Sequence, residues 1–328
     1  MSTATVQTQK EHPALRIIKH IWAEYSIIVV TVIIFAVAGI LAPRFIQPSN
    51  IIVILRQSAI IGVIAVGMTY VIITGGIDLS SGHVLATAGG VLMLLQGNPD
   101  VPLFVALLAC LAVGTVIGII NGFIVTQFRV PAFIVTLAVG IMARSIALYL
   151  VDGRSLTGDR DDLIFRGIGT GSIGFMPNPL LIWLVLAVLF GLALKYTKLG
   201  SYTYAVGGSE LASKYSGISV NRTKIFAYAL TGFCAGLACI LDVSRTVTIA
   251  VPTAGHMYEF DAITAVVVGG AALSGGRGKI LNTFFGVIII TVVSNLMAML
   301  GLSVLLSGFV KGVVILVAVL LQRREKAA

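Results

Sequence analysis

Between residues 26 and 321 the chain is a succession of apolar runs with little polar sequence between them, and nothing else in it constrains the fold so strongly. The runs cover 26 to 42, 51 to 74, 83 to 95, 102 to 127, 132 to 151, 179 to 196, 225 to 243, 261 to 273, 280 to 300 and 303 to 321. A helix crossing the roughly 30 Å hydrocarbon core needs about 20 residues, and most of these runs come close to that length. The runs at 83 to 95 and 261 to 273 are shorter, roughly 20 Å each at the helical rise. They either extend into flanking polar residues or stop part-way. Composition agrees: 11% of residues are charged and 58% are hydrophobic, against about 25% charged in a soluble domain. The sequence predicts an all-α polytopic membrane protein of about ten transmembrane helices, with eight to ten as the range, some of them short or broken.

Basic residues fix the orientation. With about ten crossings and the N-terminus inside, the segments around Arg129, from Lys195 to Lys224, and from Arg277 to Lys279 fall in the cytoplasm, as do both basic termini. The other side receives Arg44, Arg154, Arg160, Arg166 and Arg245. That asymmetry follows the positive-inside rule. The expected organisation is therefore a cytoplasmic segment over 1–25, which reads as uncleaved, and a membrane domain over 26–321. Within the latter, 152–178 is a periplasmic loop and 197–224 a cytoplasmic loop; 322–328 is a cytoplasmic tail.

Several functions are excluded by what the sequence lacks. Its net charge of +9 is scattered singly among apolar runs and forms no basic face, so nucleic acid is not an expected partner. Cys110, Cys234 and Cys239 all lie inside apolar runs, which suits packing better than a disulfide or a metal. No His, Asp and Glu cluster has metal-ligand spacing, and there is no catalytic elbow. "GTGSIG" in the 152–178 loop matches a dinucleotide fingerprint only by accident, because no strand precedes it. "GGRGKI" lacks the spacing of a nucleotide-binding loop, so any ATP must be hydrolysed by another chain. Gly114, Gly118 and Gly122, four apart in one span, form a stripe for close helix packing.

One stretch departs from the apolar pattern. In "GGIDLSSGHVLATAGG", residues 75 to 90, two glycines break a long run and are followed by Asp78, Ser80 and Ser81. A carboxylate at the bilayer centre costs about 2.5 to 3.5 kcal/mol on insertion scales. Two readings follow: these residues cap the next helix through its open amides, or Gly75, Gly76, Asp78, Ser80 and Ser81 form a broken helix lining a translocation route. Residues 269 to 287, "GGAALSGGRGKILNTFFGV", echo the stretch with one two-residue insertion. Glycine-interrupted segments in two halves of a chain point to a transporter's pathway. Asn121 and Asn295, amides within apolar spans, either bond between helices or face the same route.

The 197–224 loop carries its own local signals. Ser209 suits the cap of a short helix opening with Glu210, and Gly217 suits its left-handed stop. Glu210 and Lys214 are four apart in the favourable order. Leu211, Tyr215 and Ile218 share one face. A helix this short is marginal alone in water, so that face either docks on a partner or rests on the membrane surface.

Four ordered blocks carry a family resemblance: "GGIDLSSGHVLATAGG", "VPAFIVTLAVGIMARSIAL" (130–148), "YAVGGSELASKYSGI" (204–218) and "GHMYEFDAITAVVVGGAALSGGRGKI" (255–280). From about residue 45 to 322 the chain resembles the ribose-type permease subunits of bacterial ATP-binding cassette importers. The resemblance implies a multi-pass protein of the bacterial inner membrane that forms a path for a monosaccharide or sugar-like molecule and catalyses no covalent step. It further implies a second permease subunit, expected as a homodimer, a periplasmic sugar-binding protein, and a cytoplasmic ATP-binding cassette subunit. ATP and Mg would be used by that partner, with no cofactor on this chain. The 209–218 segment would then couple to the ATPase through Ser209, Glu210, Leu211, Ala212, Lys214, Tyr215, Gly217 and Ile218. Many cassette importers carry Glu-Ala-Ala with Gly six after the Glu; here Gly217 is seven after Glu210, and Leu211 follows the Glu. An ion- or proton-coupled carrier is the rival reading. It commonly needs carboxylate or histidine relays inside spans, whereas Asp78, Asp242, Glu259 and Asp261 fall near span ends.

Overall fold

A computed structural model of the chain describes residues 13–159, 161–302, 308–309, 312–313 and 316. The span expected over 303–321, the 322–328 tail and residues 1–12 otherwise lie outside the described residues.

The apolar runs fold as helices. α1 (Pro13–Leu41) leads through a 3-10 turn (Pro43–Ile46) into α2 (Pro48–Ile73), and α3 (Ser81–Gln96), α4 (Leu103–Phe128) and α5 (Ala132–Leu150) follow. Then come β1 (Ser155–Thr157), α6 (Leu163–Thr170), the two-residue strands β2 (Ser172–Ile173) and β3 (Met176–Pro177), and α7 (Asn178–Tyr196). α8 (Lys198–Gly208) and α9 (Glu210–Tyr215) precede the long α10 (Val220–Thr246), β4 (Thr248–Ala250), α11 (Tyr258–Val268) and α12 (Ile280–Met299). Each expected span within the described residues overlaps one helix, though α1 begins at Pro13, inside the segment expected to precede the first span, and α11 stops at Val268. Six of these, α2, α4, α5, α7, α10 and α12, are long and apolar enough to cross a membrane. The two short runs are α3 and α11, of 16 and 11 residues. At about 1.5 Å per residue α11 reaches only half-way through a bilayer.

The two supposed loops hold more structure than their composition suggested. Residues 152–178 contain α6, whose first turn is capped by the Asp162 carboxylate accepting from the Phe165 amide at 2.9 Å. β1 pairs antiparallel with β4, joining this loop to the end of α10. The 197–224 loop contains α8 as well as the expected α9.

α2 and α10 form the centre: two-thirds of the most apolar window of each is buried, against 28% for α4, α5 and α7. The glycine stripe on α4 packs on α10 as its spacing predicts. A Cβ on Gly114 would stand 2.3 Å from the Gly232 carbonyl, and one on Gly122 would stand 2.7 Å from Ile225 Cα. Side chains there would force apart the two backbones that form the tightest helix pair.

The echo between the two glycine-rich segments has a structural counterpart. α2 and α11 both end in a six-to-one turn: Gly76 N donates to Val71 O at 2.9 Å, and Ala271 N donates to Val266 O at 3.1 Å. The left-handed residues of these turns are Gly75 (φ +78) and Gly270 (φ +85), which aligns the segments one residue away from the register read in the sequence. The chain after α11 then folds back onto α2, with Gly276 N donating to Ile73 O at 2.8 Å. Gly207, near the end of α8, completes the contact: its Cβ would lie 1.7 Å from Ile73 O. Three chain reversals thus meet as bare backbone. Beside them the Tyr204 hydroxyl donates to Gly278 O at 2.6 Å, and burial raises that phenol above its ordinary range, so it stays protonated as a donor.

Candidate functional site

The linker from α2 to α3 is buried and polar. Asp78 is fully enclosed. Its Oδ1 accepts from the Ser80 amide at 2.8 Å and from the Ser80 hydroxyl at 2.6 Å. The carboxylate therefore holds the turn before α3, while Ser80, not Asp78, occupies the cap position and makes no side-chain cap bond. Asn121 on α4 donates through Nδ2 to Ser80 Oγ at 2.8 Å. Thr136 on α5 accepts from the Leu79 amide at 3.0 Å. One seven-residue linker is thereby fastened to two further helices. Asp78 Oδ2, Asn121 Oδ1 and Ser81 Oγ have no protein partner, which concentrates unsatisfied polarity in one place.

A second broken segment meets this one. The first turn of α3 touches the chain entering α11: a Cβ on Gly82 would lie 2.3 Å from Gly255 O and 2.2 Å from Glu259 Oε2. Arg144, inside α5, joins the two, donating to Gly82 O at 3.2 Å and to Ala254 O. His83 Nδ1 is buried beside them with no partner. Two helices, α3 and α11, thus begin against each other within the protein, each presenting its amide-rich end to a polar cluster, the geometry by which discontinuous helices form pathway sites. Arg144 and Glu259 were missed as site residues from the sequence. A lone arginine in an apolar span shows that something must hold it, but backbone carbonyls leave no signature.

Asn295 stands apart. It exchanges two 3.0 Å hydrogen bonds with Asn50, which also donates to Phe45 O at 2.9 Å. That pairing ties α12 to the start of α2, so among the described contacts Asn295 is an interhelical bond and not a neighbour of Asp78.

The α9 segment has the expected caps and a different ion pair. Ser209 Oγ accepts from Ala212 N at 3.2 Å, and Gly217 adopts φ +79. Glu210 pairs with Lys224 on α10 instead of Lys214, because the α10 lysine reaches back over α9. Leu211 and Tyr215 are 65% and 84% exposed, while Ser213 faces inward. Ile218, past the end of α9, is half-buried. Beside α9 opens a cleft of about 930 Å³ whose walls include Leu211, Lys214, Ile218, Arg129 and Arg222, and which reaches Gly75, Gly76 and Tyr228. The structure therefore brings Gly75 and Gly76 together with α9 in one cleft. Ser80, Ser81 and Asn121 lie beyond the break, and Asn295 is elsewhere.

The family described as "branched-chain amino acid transport system / permease component" matches residues 50–319. The ribose import permease protein of Haemophilus influenzae is 42% identical over 295 residues, covering 88% of this chain and 90% of that protein. The ribose import permease protein of Escherichia coli is 39% identical over 305 residues, 92% and 94% of the two chains. The L-arabinose transport system permease protein of Escherichia coli is 33% identical over 310 residues, 94% and 93%. No solved structure matches the chain.

Proposed function

This chain belongs to that family of transport-system permeases, and from that membership we propose how its parts serve import. It is the membrane permease subunit of an ATP-binding cassette importer for a monosaccharide or sugar-like small molecule, a multi-pass membrane protein that works with a cytoplasmic ATPase subunit and a periplasmic binding protein. In our reading the membrane is the bacterial inner membrane, crossed about ten times with both termini in the cytoplasm, and the second permease subunit is another copy of this chain. ATP and Mg act on the ATPase, and this chain binds neither.

The observation that carries the division of labour is the exposed apolar pair Leu211 and Tyr215 on a capped helix beside the cleft that reaches Gly75 and Gly76. An apolar pair in water on so short a helix is best accounted for by a docked partner. Motion of the ATPase would then act on α9, on the backbone junction behind it and on the break before α3. Asp78, Ser80, Ser81 and Asn121 hold that break in place; Gly75 and Gly76 supply its turn. The mutual contact of the α3 and α11 starts supports a pathway at this level, with Arg144 fixing the two segments relative to each other.

The test is reconstitution of the chain with its ATPase in vesicles, with the cognate binding protein added, and uptake measured over labelled pentoses and hexoses. Uptake of one or a few of them that requires both ATP and the binding protein is expected. Uptake that persists when either is omitted would overturn the reading in favour of an ion-coupled carrier.

A further inference from the structure

A second concavity, of about 710 Å³, opens between α7 and α12, with Ser201 and Tyr204 of α8 also in its lining. Its α7 wall is formed by Leu184, Val188, Gly191 and Lys195, which recur along one helix face. From Leu184 to Lys195 the helix rises about 16 Å, close to half of the roughly 30 Å hydrocarbon core. The groove is thus one leaflet deep. Val188 and, across it, Leu281 are 57% and 64% exposed, so its flank opens sideways. Gly191 keeps it hollow, since even its nearest neighbour, Ile280, would stand 3.9 Å from an added Cβ.

The groove is closed at one end by charge. Lys195 and Lys279 line its mouth, and Lys198 and Arg277 lie within three residues of them in the chain. All four are exposed, and among the described residues none pairs with a carboxylate. On this side of the protein Asp78 is enclosed and Glu210 is taken by Lys224. Lys279 also stands at the start of α12, where no side chain caps the first amides, so the helix end adds to the positive field. Lys195 lies 4.9 Å over the Tyr196 ring, a contact that leaves its charge in place, and an apolar slot one leaflet deep with cations unpaired by carboxylates at headgroup level matches one kind of molecule.

We propose that the α7–α12 groove is a binding site for an anionic phospholipid of the cytoplasmic leaflet, its phosphate held by Lys195 and Lys279 and an acyl chain lying along Gly191. The proposal rests on the orientation argued above, which puts the end of α7 and the start of α12 at the cytoplasmic face. It does not require that the transported sugar be identified.

The full-length chain, purified in mild detergent, is offered phosphatidylglycerol and phosphatidylcholine of the same acyl composition, and retained lipid is measured by native mass spectrometry. Preferential retention of phosphatidylglycerol is expected. Lys195→Gln and Lys279→Gln should each reduce that preference about fivefold, the loss expected for one surface cation. Gly191→Leu, which fills the slot and leaves both lysines, should reduce retention of either lipid while the purified protein stays monodisperse. Equal retention of the two lipids by the wild type, or an unchanged preference in both lysine variants, would overturn the proposal. So would displacement of the lipid by glycerol phosphate, which would indicate an anion site without a groove, or a cross-link between Leu281→Cys positions of two copies, which would make this face a protein interface. Transport that fails while the lipid preference stands would count against the function and not against this site.

Discussion

Replacing Tyr215 by aspartate separates a docking helix from one that rests on the membrane. In the isolated chain the side chain is 84% exposed and makes no described hydrogen bond, so the change should alter folding by no more than about 0.5 kcal/mol. Docked, the same ring would be covered. An aromatic side chain buries about 150 to 250 Å², and most of that is still available here; at about 25 cal/mol per Å² its burial contributes roughly 3 to 5 kcal/mol. Aspartate forfeits that and adds an unpaired ion costing several kcal/mol more. Even 3 kcal/mol weakens association by about a hundredfold. Leu211→Asp should behave alike with a smaller apolar loss, whereas Tyr215→Phe should leave assembly near normal. The assay is co-purification of the ATPase with tagged permease, together with ATP hydrolysis stimulated by loaded binding protein. Normal membrane levels with both readouts lost in the Asp variants are expected. Normal assembly and transport in both would refute the argument and return α9 to the lipid surface.

Four further outcomes follow from the geometry. Asn295→Leu should lower the melting temperature in detergent, since it strands the Asn50 amide at a cost of about 1 to 3 kcal/mol; Asn50→Leu combined with it should recover much of the loss, and additive damage would contradict the reciprocal pair. Gly114→Leu, driven into the Gly232 carbonyl, should abolish folded protein in the membrane, with overpacking beyond the usual 1 to 3 kcal/mol; near-normal yield on immunoblots would mean that α4 and α10 do not approach so closely. Arg144→Leu removes the donor shared by Gly82 and Ala254 and should abolish uptake and reduce yield, while Arg144→Lys restores yield better than uptake; equal uptake in both would make the arginine a mere space-filler. A cysteine replacing Phe175, in the exposed turn between β2 and β3, should be labelled by an impermeant reagent from the periplasm, and a reporter fused after Lys326 should be cytoplasmic; labelling only after permeabilisation would break the orientation.

Long apolar runs were legible because their length alone specifies a helix in lipid, and every one within the described residues became a helix, although α1 starts thirteen residues before its run and α11 stops five residues before its run ends. Ser209 and Gly217 were legible for a related reason: a cap and a left-handed stop are decided by neighbours in the chain. What the sequence concealed is decided across the fold. Lys214 and Lys224 are equally good partners for Glu210 until α10 is placed, and placement favours Lys224. Asp78 was identifiable as a polar break in an apolar run, yet its bonds to Ser80, and Asn121's reach to the same hydroxyl, depend on how α3 and α4 pack. α8, "KLGSYTYAVGG", has neither an apolar run nor a strong helix composition; its position depends on Leu199, Thr203 and Val206 turning inward. Arg144 satisfies carbonyls, and a carbonyl is present at every residue.

The junction of Gly75, Gly207 and Gly276 has a consequence for inheritance. These positions are more than sixty residues apart in sequence, yet a methyl group added at Gly207 would intrude on Ile73 O and Gly276 N at once. Substitutions in the three segments are therefore not independent events. Their effects should depend on one another, as changes at residues in contact do, so what evolution can accept at one turn is conditional on the other two. The three stretches form one locus of constraint, written in the gene as three.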